Sequence, residues 1–240
     1  MKASNVEIVF VIDASASMRP CFEGLANHLA DFLKPLQGFN FRIRLGLVAV
    51  NVGKSADGGR VVRTTTLAGD LDSIYQGQTG LFTDSPDEFL STLRGIKMSG
   101  DENSLLSLDM ALDFPFGPLS TTRRVVAMFS DEKIEAGAIV DAEIQMLPRL
   151  IKKIGDRRVM LFAAMPTSEA LEILGSTDGS QIQVVEGGGG LGSVDFGKLM
   201  GQMAKSISVS SLQGDEGAYE RALFGQNAWG TSEGSFEGQA

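Results

Sequence analysis

One almost uninterrupted apolar stretch near the start of the chain constrains the fold more than any other feature. Residues 6–12 read VEIVFVI, and Glu7 is the one charged residue among them. A strand that is apolar on both faces is typical of the middle of a parallel sheet, where helices cover both sides. The stretch therefore predicts a central parallel strand in a layered α/β protein.

Strand and helix patterns alternate along the rest of the first 210 residues, as expected for an α/β domain. Phe22, Leu25 and Leu29 begin an apolar stripe at helical spacing, which Pro35 and Gly38 close. A turn-like KSADGG sequence joins the second and third strands, which indicates an antiparallel edge pair. The other predicted strands are 41–50, 61–67, 123–130, 158–165 and 182–185; the other predicted helices are one starting at Ser85, one containing Leu105 to Leu112, and 138–153, 168–174 and 194–208.

The composition is that of an acidic globular protein. Hydrophobic residues make up 43% of the 240 residues and charged residues 21%, which allows a full core. The net charge of −9 argues against nucleic acid or an anionic membrane as the main partner, because both require a basic surface. The one cysteine, Cys21, excludes an internal disulfide and is predicted to be a packed residue. With no secretory signal pattern and no apolar run of about 18 residues, we expect a cytoplasmic protein.

The composition changes at about Ser210. Residues 211–240 contain six glycines, five acidic residues and a single basic residue. We therefore predict a domain over 1–210 and an acidic, Gly/Ser-rich tail over 211–240 that is largely flexible. Trp229 and two phenylalanines in this tail leave two interpretations open: a docking segment for a partner, or residues without a role.

Acidic residues stand directly after two of the predicted strands. Asp13 follows the first strand, with Ser15 and Ser17 at alternate positions behind it, and Asp131 follows the strand RRVVAMFS. Asp101 lies in the loop SGDENS, ahead of a predicted helix. In an open parallel sheet, ligands bind outside the carboxyl ends of the strands, where the strand order reverses. We therefore expect Asp13 and Asp131 to flank one crevice, with both serines pointing into it.

The residue types in this predicted crevice favour a hard divalent cation. Two carboxylates about 4 Å apart repel each other by roughly 4 kcal/mol at an effective dielectric constant near 20, and a cation between them removes that repulsion. The donors are all oxygens, with no thiolate or nearby imidazole, which favours Mg²⁺, Mn²⁺ or Ca²⁺ over zinc. Because few side chains supply direct ligands, one coordination position stays open for water or an incoming oxygen. We expect Mg²⁺ to be the ion in a cytoplasmic protein.

Asp13-x-Ser15-x-Ser17 resembles the metal-ion-dependent adhesion site (MIDAS) of von Willebrand factor A (vWA) domains, and the resemblance covers most of residues 5–210. It implies that these three residues and Asp131 hold the metal, directly or through water. It also implies a three-layer, doubly wound, Rossmann-like fold with a mostly parallel six-stranded sheet and one antiparallel edge strand. Within the family the sequence resembles small, free-standing bacterial proteins (TerY-like), which suggests partners such as an ATPase or a kinase and phosphatase set.

The sequence departs from the MIDAS pattern at two positions. Ala16 stands where the family usually has glycine, which costs little if its φ is negative. The middle ligand is commonly a threonine, whereas here Asp101 is best placed, as in relatives whose loop resembles GD-x-P-E; Ser99, Ser104 and Thr83 are competitors. With a third carboxylate in place of threonine, we predict that the site binds metal more tightly but attracts a partner's carboxylate less strongly.

The sequence therefore predicts a non-enzymatic module in which a bound metal accepts an Asp or Glu side chain of a partner protein as its last ligand. Two alternatives stay open. The first is a metal-dependent phosphoryl-transfer enzyme with Asp13 as nucleophile, although Ser15 stands where such enzymes usually have a second aspartate. The second is a scaffold with a degenerate site, in which Asp13 or Ser17 only caps the following helix.

Overall fold

A computed structural model describes residues 4–38, 40–69, 74, 80–136, 141–187 and 194–213 of the chain. Its strands are β1 Asn5–Asp13, β2 Arg42–Lys54, β3 Arg60–Thr65, β4 Phe82–Thr83, β5 Thr122–Phe129, β6 Val159–Met165 and β7 Ser180–Val184. Its α-helices are α1 Arg19–Gln37, α2 Pro86–Gly95, α3 Ser104–Leu112, α4 Asp141–Ile144, α5 Leu147–Arg157, α6 Glu169–Gly175 and α7 Phe196–Gln213. Two short 3₁₀ helices lie at Ala16–Met18 and Ile134–Ala136.

The strands form one sheet in the order β3-β2-β1-β5-β6-β7, and β4 also pairs with β2. Every pair from β2 to β7 along this order is parallel, whereas β3 and β4 are both antiparallel to β2. The predicted mostly parallel sheet and the antiparallel edge pair are confirmed. The predicted number of six strands is too low by one, because the two-residue strand β4 is too short to have a recognisable sequence pattern.

Strand β1 lies where the strand order reverses. It pairs with β2 on one side and with β5 on the other, and the register places Asp13 beside Val50 and Ile12 beside Phe129. The residues that follow Ile12 and Phe129 therefore leave the sheet side by side at its carboxyl edge. This is the position at which open α/β sheets bind ligands.

Both faces of β1 are buried, which explains its apolar sequence. Ile8, Phe10 and Ile12 belong to a core shared with α1, α2 and α7, whereas Val9 and Val11 belong to a second core shared with α3, α5 and α6. The sheet is thus the middle of three layers, as predicted. Burial on both sides removes the polar alternation that a half-exposed strand would show.

Three helices differ from their predicted bounds. Helix α1 includes Pro35 in its last turn and ends before Gly38. The predicted helix 138–153 corresponds to the separate helices α4 and α5, and residues 137–140 lie outside the described residues. Helix α7 continues past the predicted domain boundary, and Ser211 is fully buried within it. The remainder of the predicted tail, from residue 214 onward, lies outside the described residues.

Candidate metal centre

Asp13 is the last residue of β1, and a short turn folds the following chain back over its carboxylate. The Ser15 N–H donates to Asp13 Oδ1 at 2.6 Å, and the Ser15 hydroxyl donates to Oδ2 at 3.1 Å. The Ser130 hydroxyl, which follows β5, donates to the same Oδ2 at 3.4 Å. Aspartate favours such local turns because its short side chain reaches the backbone two residues on. The carboxylate is therefore held by both neighbouring loops.

The two serines connect this aspartate to the predicted partner from β5. The hydroxyls of Ser15 and Ser17 lie 2.9 Å apart, and the Ser17 hydroxyl donates to Asp131 Oδ1 at 3.1 Å. A continuous series of close oxygen contacts thus runs from Asp13 through Ser15 and Ser17 to Asp131. The structure brings these four sequence-predicted residues together across the carboxyl edge of the sheet.

One oxygen of this group has no partner. Asp131 is 1% exposed, and its Oδ2 has no hydrogen-bond partner among the described residues. A buried, unpaired carboxylate oxygen costs free energy, which a cation at that oxygen would remove. Two carboxylates and two hydroxyls are also the hard oxygen donors that Mg²⁺ and Ca²⁺ take. The residues present therefore fit a divalent cation.

Ala16, at the position where the MIDAS pattern usually has glycine, causes no backbone strain. Among the described residues the non-glycine positions with positive φ are Asn40 and Arg158, so Ala16 keeps an ordinary backbone conformation. The condition under which alanine costs little at this position is met.

Burial and like charge set the electrostatics of the group. Burial raises the pKa of Asp13 to about 6; the hydrogen bonds from Ser15 oppose this, and the charges of Asp131 and Glu132 add to it. Burial, together with the charges of Asp13 and Asp131, also raises the pKa of Cys21. Its thiol is fully buried, as predicted for a packed residue, and the raised pKa disfavours the thiolate that a nucleophile needs.

Thr83 is the one competitor for the middle ligand that the topology removes. It pairs with Leu45, which lies beside Ile8 in the sheet, five positions before Asp13. Its hydroxyl donates to the Glu88 carboxylate and accepts from the N–H of Ser85 at 3.0 Å. Thr83 therefore belongs to the start of α2 and not to the carboxyl edge of the sheet.

Asp101, the predicted middle residue, is exposed and its backbone is fixed to β2. Its N–H and C=O pair with Val52 at 2.8 and 2.6 Å. Gly100 permits this pairing: its φ is +77°, and a Cβ there would lie 2.5 Å from the Val52 carbonyl oxygen. The Asp101 carboxylate lies within 4.8 Å of carboxylate oxygens of Glu102 and Glu132. Its role as a ligand of the cation at Asp13 stays a prediction.

Glu102 is a residue of the site that sequence reasoning missed. It is 2% exposed, and with Asp13, Ser104 and Ser130 it lines a cavity of about 10 Å³, enough for about one water molecule. Burial raises the pKa of Glu102 to about 9, and the adjacent Glu132 carboxyl and the charge of Asp13 add to this. Neither Glu102 carboxyl oxygen has a hydrogen-bond partner among the described residues. The sequence does show a second acidic residue directly after Asp101. A loop has no regular periodicity, however, so the sequence does not indicate which of the two side chains is buried.

The residue after Glu102 anchors this loop. Asn103 Oδ1 accepts from the N–H of Leu106 at 2.9 Å and so caps α3, while its Nδ2 donates to the Glu143 carboxylate at 2.8 Å. Glu143 is in turn paired with Arg60 of β3 at 2.9 Å. Contacts on both sides of Glu102 therefore hold this loop in place: Asp101 pairs with Val52, and Asn103 contacts Leu106 and Glu143.

Comparison with known proteins adds evidence on the fold. No family model matches the chain, and no curated protein matches it in sequence. Solved structures do match: the VWA domain of SpRpn10 has a TM-score of 0.52 and 16% identity over 84% of this chain and 95% of that domain. A von Willebrand factor type A protein from Catenulispora acidiphila has a TM-score of 0.52 and 16% identity over 84% of this chain.

A third match is the pilus adhesin SpaC from Lactobacillus rhamnosus GG in its open conformation, with a TM-score of 0.51 and 10% identity over 88% of this chain. The chain spans 43% of the Catenulispora protein and 31% of the adhesin. These matches confirm the predicted fold: the chain has the fold of vWA domains. At this level of identity they concern the fold alone, so the likeness to small TerY-like bacterial proteins stays a prediction. No helix in the described part of the chain is long and apolar enough to cross a membrane.

Proposed function

We propose that this chain is a metal-dependent protein-interaction module and not an enzyme. In this proposal Asp13, Ser15, Ser17 and Asp131 hold a divalent cation, and the cation captures an Asp or Glu side chain of a partner protein. One observation carries the proposal: the series of close oxygen contacts between the two aspartates ends in a buried Asp131 oxygen without a hydrogen-bond partner among the described residues.

The donor chemistry supports a hard cation with room for one more ligand. A serine hydroxyl that donates its proton to a carboxylate keeps its lone pairs free for a metal, and both Ser15 and Ser17 can do so. The charges of Asp13 and Asp131 balance a divalent ion, so these two carboxylates leave no excess charge to repel an incoming one. Mg²⁺ is the proposed ion, with Mn²⁺ or Ca²⁺ able to replace it, because near-octahedral oxygen geometry would help to select the partner's carboxylate.

The partner class follows from the fold and the sequence resemblance. Solved proteins with this fold include an adhesin. The resemblance to small bacterial vWA proteins favours a cytoplasmic multiprotein complex that contains an ATPase or a kinase and phosphatase set. We propose such a complex as the setting of this chain.

A capture experiment with the full chain tests the proposal. The immobilised chain is incubated with cell extract in Mg²⁺ or in EDTA, and the bound proteins are identified by mass spectrometry. We expect a partner that binds in Mg²⁺, is released by EDTA, and is lost with Ser17→Ala. Asp84→Asn is the control, because Asp84 is exposed and pairs with Arg42 at the amino end of β2, away from the proposed cation site. A partner bound equally in EDTA and by Ser17→Ala would contradict the metal-dependent mechanism.

The phosphoryl-transfer alternative has its own test. Both Asp13 oxygens accept hydrogen bonds from Ser15, and the residue is 6% exposed, which does not favour a nucleophile. We expect no hydrolysis of an aryl phosphate in Mg²⁺. Hydrolysis that Asp13→Asn abolishes would replace the interaction proposal with an enzyme.

A further inference from the structure

A second acidic cluster lies beside the proposed cation site. Asp101, Glu102 and Glu132 each contribute a carboxylate oxygen, and these three oxygens all lie within 4.8 Å of one another. Two separate loops supply them, one between α2 and α3 and one after β5. Three like charges at this separation repel one another unless a proton or a cation neutralises them.

Glu102 is the member of the cluster that points to a ligand. It is 2% exposed, and neither of its carboxylate oxygens has a hydrogen-bond partner among the described residues. None of the ion pairs in the described part of the chain includes a residue of the cluster. Other buried carboxylates outside the first site do have cationic partners: Arg44 for Glu7, Arg60 for Glu143, and Arg149 and Lys153 for Asp109.

We infer that Asp101, Glu102 and Glu132 bind a second cation of the Ca²⁺ type, next to the cation proposed at Asp13. Three carboxylates and no nitrogen or sulfur donor define a hard oxygen site. Ca²⁺ accepts oxygen ligands in flexible geometry, whereas Mg²⁺ requires near-ideal octahedral geometry. Ca²⁺ therefore suits a cluster whose carboxylates come from two separate loops.

The cluster is accessible and rigidly placed. Asp101 is exposed and Glu132 is half-buried, so a cation can enter from solvent although Glu102 itself is covered. The pairing of Asp101 with Val52 and the Asn103–Glu143 hydrogen bond hold the loop on either side of Glu102. Binding therefore requires little ordering of the chain.

The second cation also has a consequence for partner binding, and this step rests on the proposed function. Asp13, Asp131 and the cluster make five carboxyl groups, which carry more negative charge than one divalent cation balances even when Glu102 holds a proton. This excess negative charge repels the acidic side chain that the first site is proposed to capture, and a second cation reduces it. Occupancy of the second site would therefore raise affinity for an acidic partner.

Ion counting tests the second site independently of any partner. The full chain and its variants are dialysed to equilibrium against Ca²⁺, and the bound ions are counted by mass spectrometry. We expect two Ca²⁺ per wild-type chain and one in Glu132→Gln and Asp101→Asn, with the affinity of the lost ion reduced at least tenfold. Ser17→Ala should lose only the other ion, and Asp84→Asn should keep both. A single ion in the wild type that Glu132→Gln leaves in place would overturn the inference, as would the loss of both ions in Asp101→Asn.

Thermal unfolding of Glu102→Gln provides a second readout. The amide is neutral and is a weaker metal ligand than a carboxylate, so the melting temperature in EDTA should be close to that of the wild type, and the rise on adding Ca²⁺ should shrink. An unchanged Ca²⁺ response would overturn the role of Glu102. If Glu102→Gln does not fold, the exposed Asp101→Asn variant is measured in the same way. The two proposals fail separately, because Ser17→Ala with Mg²⁺ reports on the first site and Glu132→Gln with Ca²⁺ on the second.

Discussion

Strand β1 carries a buried acidic residue at each end, and the fold surrounds the two residues differently. At the amino end, Glu7 accepts a hydrogen bond from Nε of Arg44 at 3.0 Å and from the N–H of Gly117 at 2.7 Å. At the carboxyl end, Asp13 meets hydroxyls and further carboxylates, and Asp131 keeps one oxygen unpaired. Both acids are buried, so burial alone does not distinguish the two ends of the strand. They differ in the groups that their carboxylates contact.

The comparison has a simple energetic basis. A buried carboxylate needs a compensating positive charge or several N–H donors, because removing it from water is costly. The chain supplies a guanidinium for Glu7, whereas no ion pair among the described residues includes Asp13 or Asp131. The acid at the amino end has its partners within the folded chain, and the carboxyl end is where we propose that an ion from solution binds.

The largest expected effect comes from breaking the amino-end pair. Arg44→Met removes the cation paired with Glu7 and leaves Arg124, on the neighbouring strand, as the nearby positive charge. We expect the free energy of unfolding to fall by about 3 kcal/mol. Urea unfolding at pH 7 measures the loss, which should be the same in EDTA and in Mg²⁺. Arg42→Met is the control, because its exposed pair with Asp84 should contribute less than about 1 kcal/mol. A loss that depends on Mg²⁺ would show that the two ends are not independent.

The next effect concerns the proposed cation at the carboxyl end. Asp131→Asn should leave stability in EDTA unchanged or raised, because it removes the negative charge that Asp131 places beside Asp13. It should abolish the stabilisation by Mg²⁺, which amounts to about 2.7 kcal/mol at a concentration one hundred times the Kd. Urea unfolding with and without Mg²⁺ measures both quantities. Asp156→Asn, at an exposed pair with Lys152, should behave like the wild type.

A smaller effect is the pH dependence of the metal-free protein. Burial raises the pKa of Asp13 to about 6 and that of Glu102 to about 9, above their ordinary values of 3.8 and 4.5. The folded state then holds protons that the unfolded chain has released, so this stabilisation is complete below about pH 4 and is lost as pH rises through 6 and then 9. In EDTA the melting temperature should fall from pH 6 to pH 9.

The same titration sharpens the contrast between metal-free and metal-bound protein. Added Ca²⁺ or Mg²⁺ should raise the melting temperature more at pH 9 than at pH 6, because the cation competes with the proton for the carboxylates. Glu102→Gln should flatten the slope in EDTA between pH 6 and pH 9. An unchanged slope in this variant would assign the dependence to other groups.

The smallest predicted effect concerns the turn between the two serines. Ala16→Gly should lower the free energy of unfolding by about 0.5–1 kcal/mol, because glycine adds freedom to the unfolded chain and Ala16 is unstrained. The Mg²⁺ affinity should not change. Urea unfolding and a Mg²⁺ titration measure the two quantities, and a gain in stability would show strain at Ala16.

Much of the fold was predictable because it depends on local patterns. The apolar stretch 6–12 indicated a central strand, and alternating strand and helix patterns indicated a three-layer α/β protein, which the sheet order confirms. Strand β4 was missed because two residues have no periodicity, and its pairing with β2 depends on distant parts of the chain.

The candidate site, like the fold, was predictable from the sequence only in part. The sequence by itself determined that Asp13, Ser15, Ser17 and Asp131 follow strand ends, because side-chain alternation and strand termination are local properties. Only the tertiary structure decided that Asp101 faces solvent while Glu102 is buried near Asp13 and Glu132. The physical reason is that the bridge to Val52 and the packing of α3 set the orientation of that loop, and both contacts join residues far apart in the sequence.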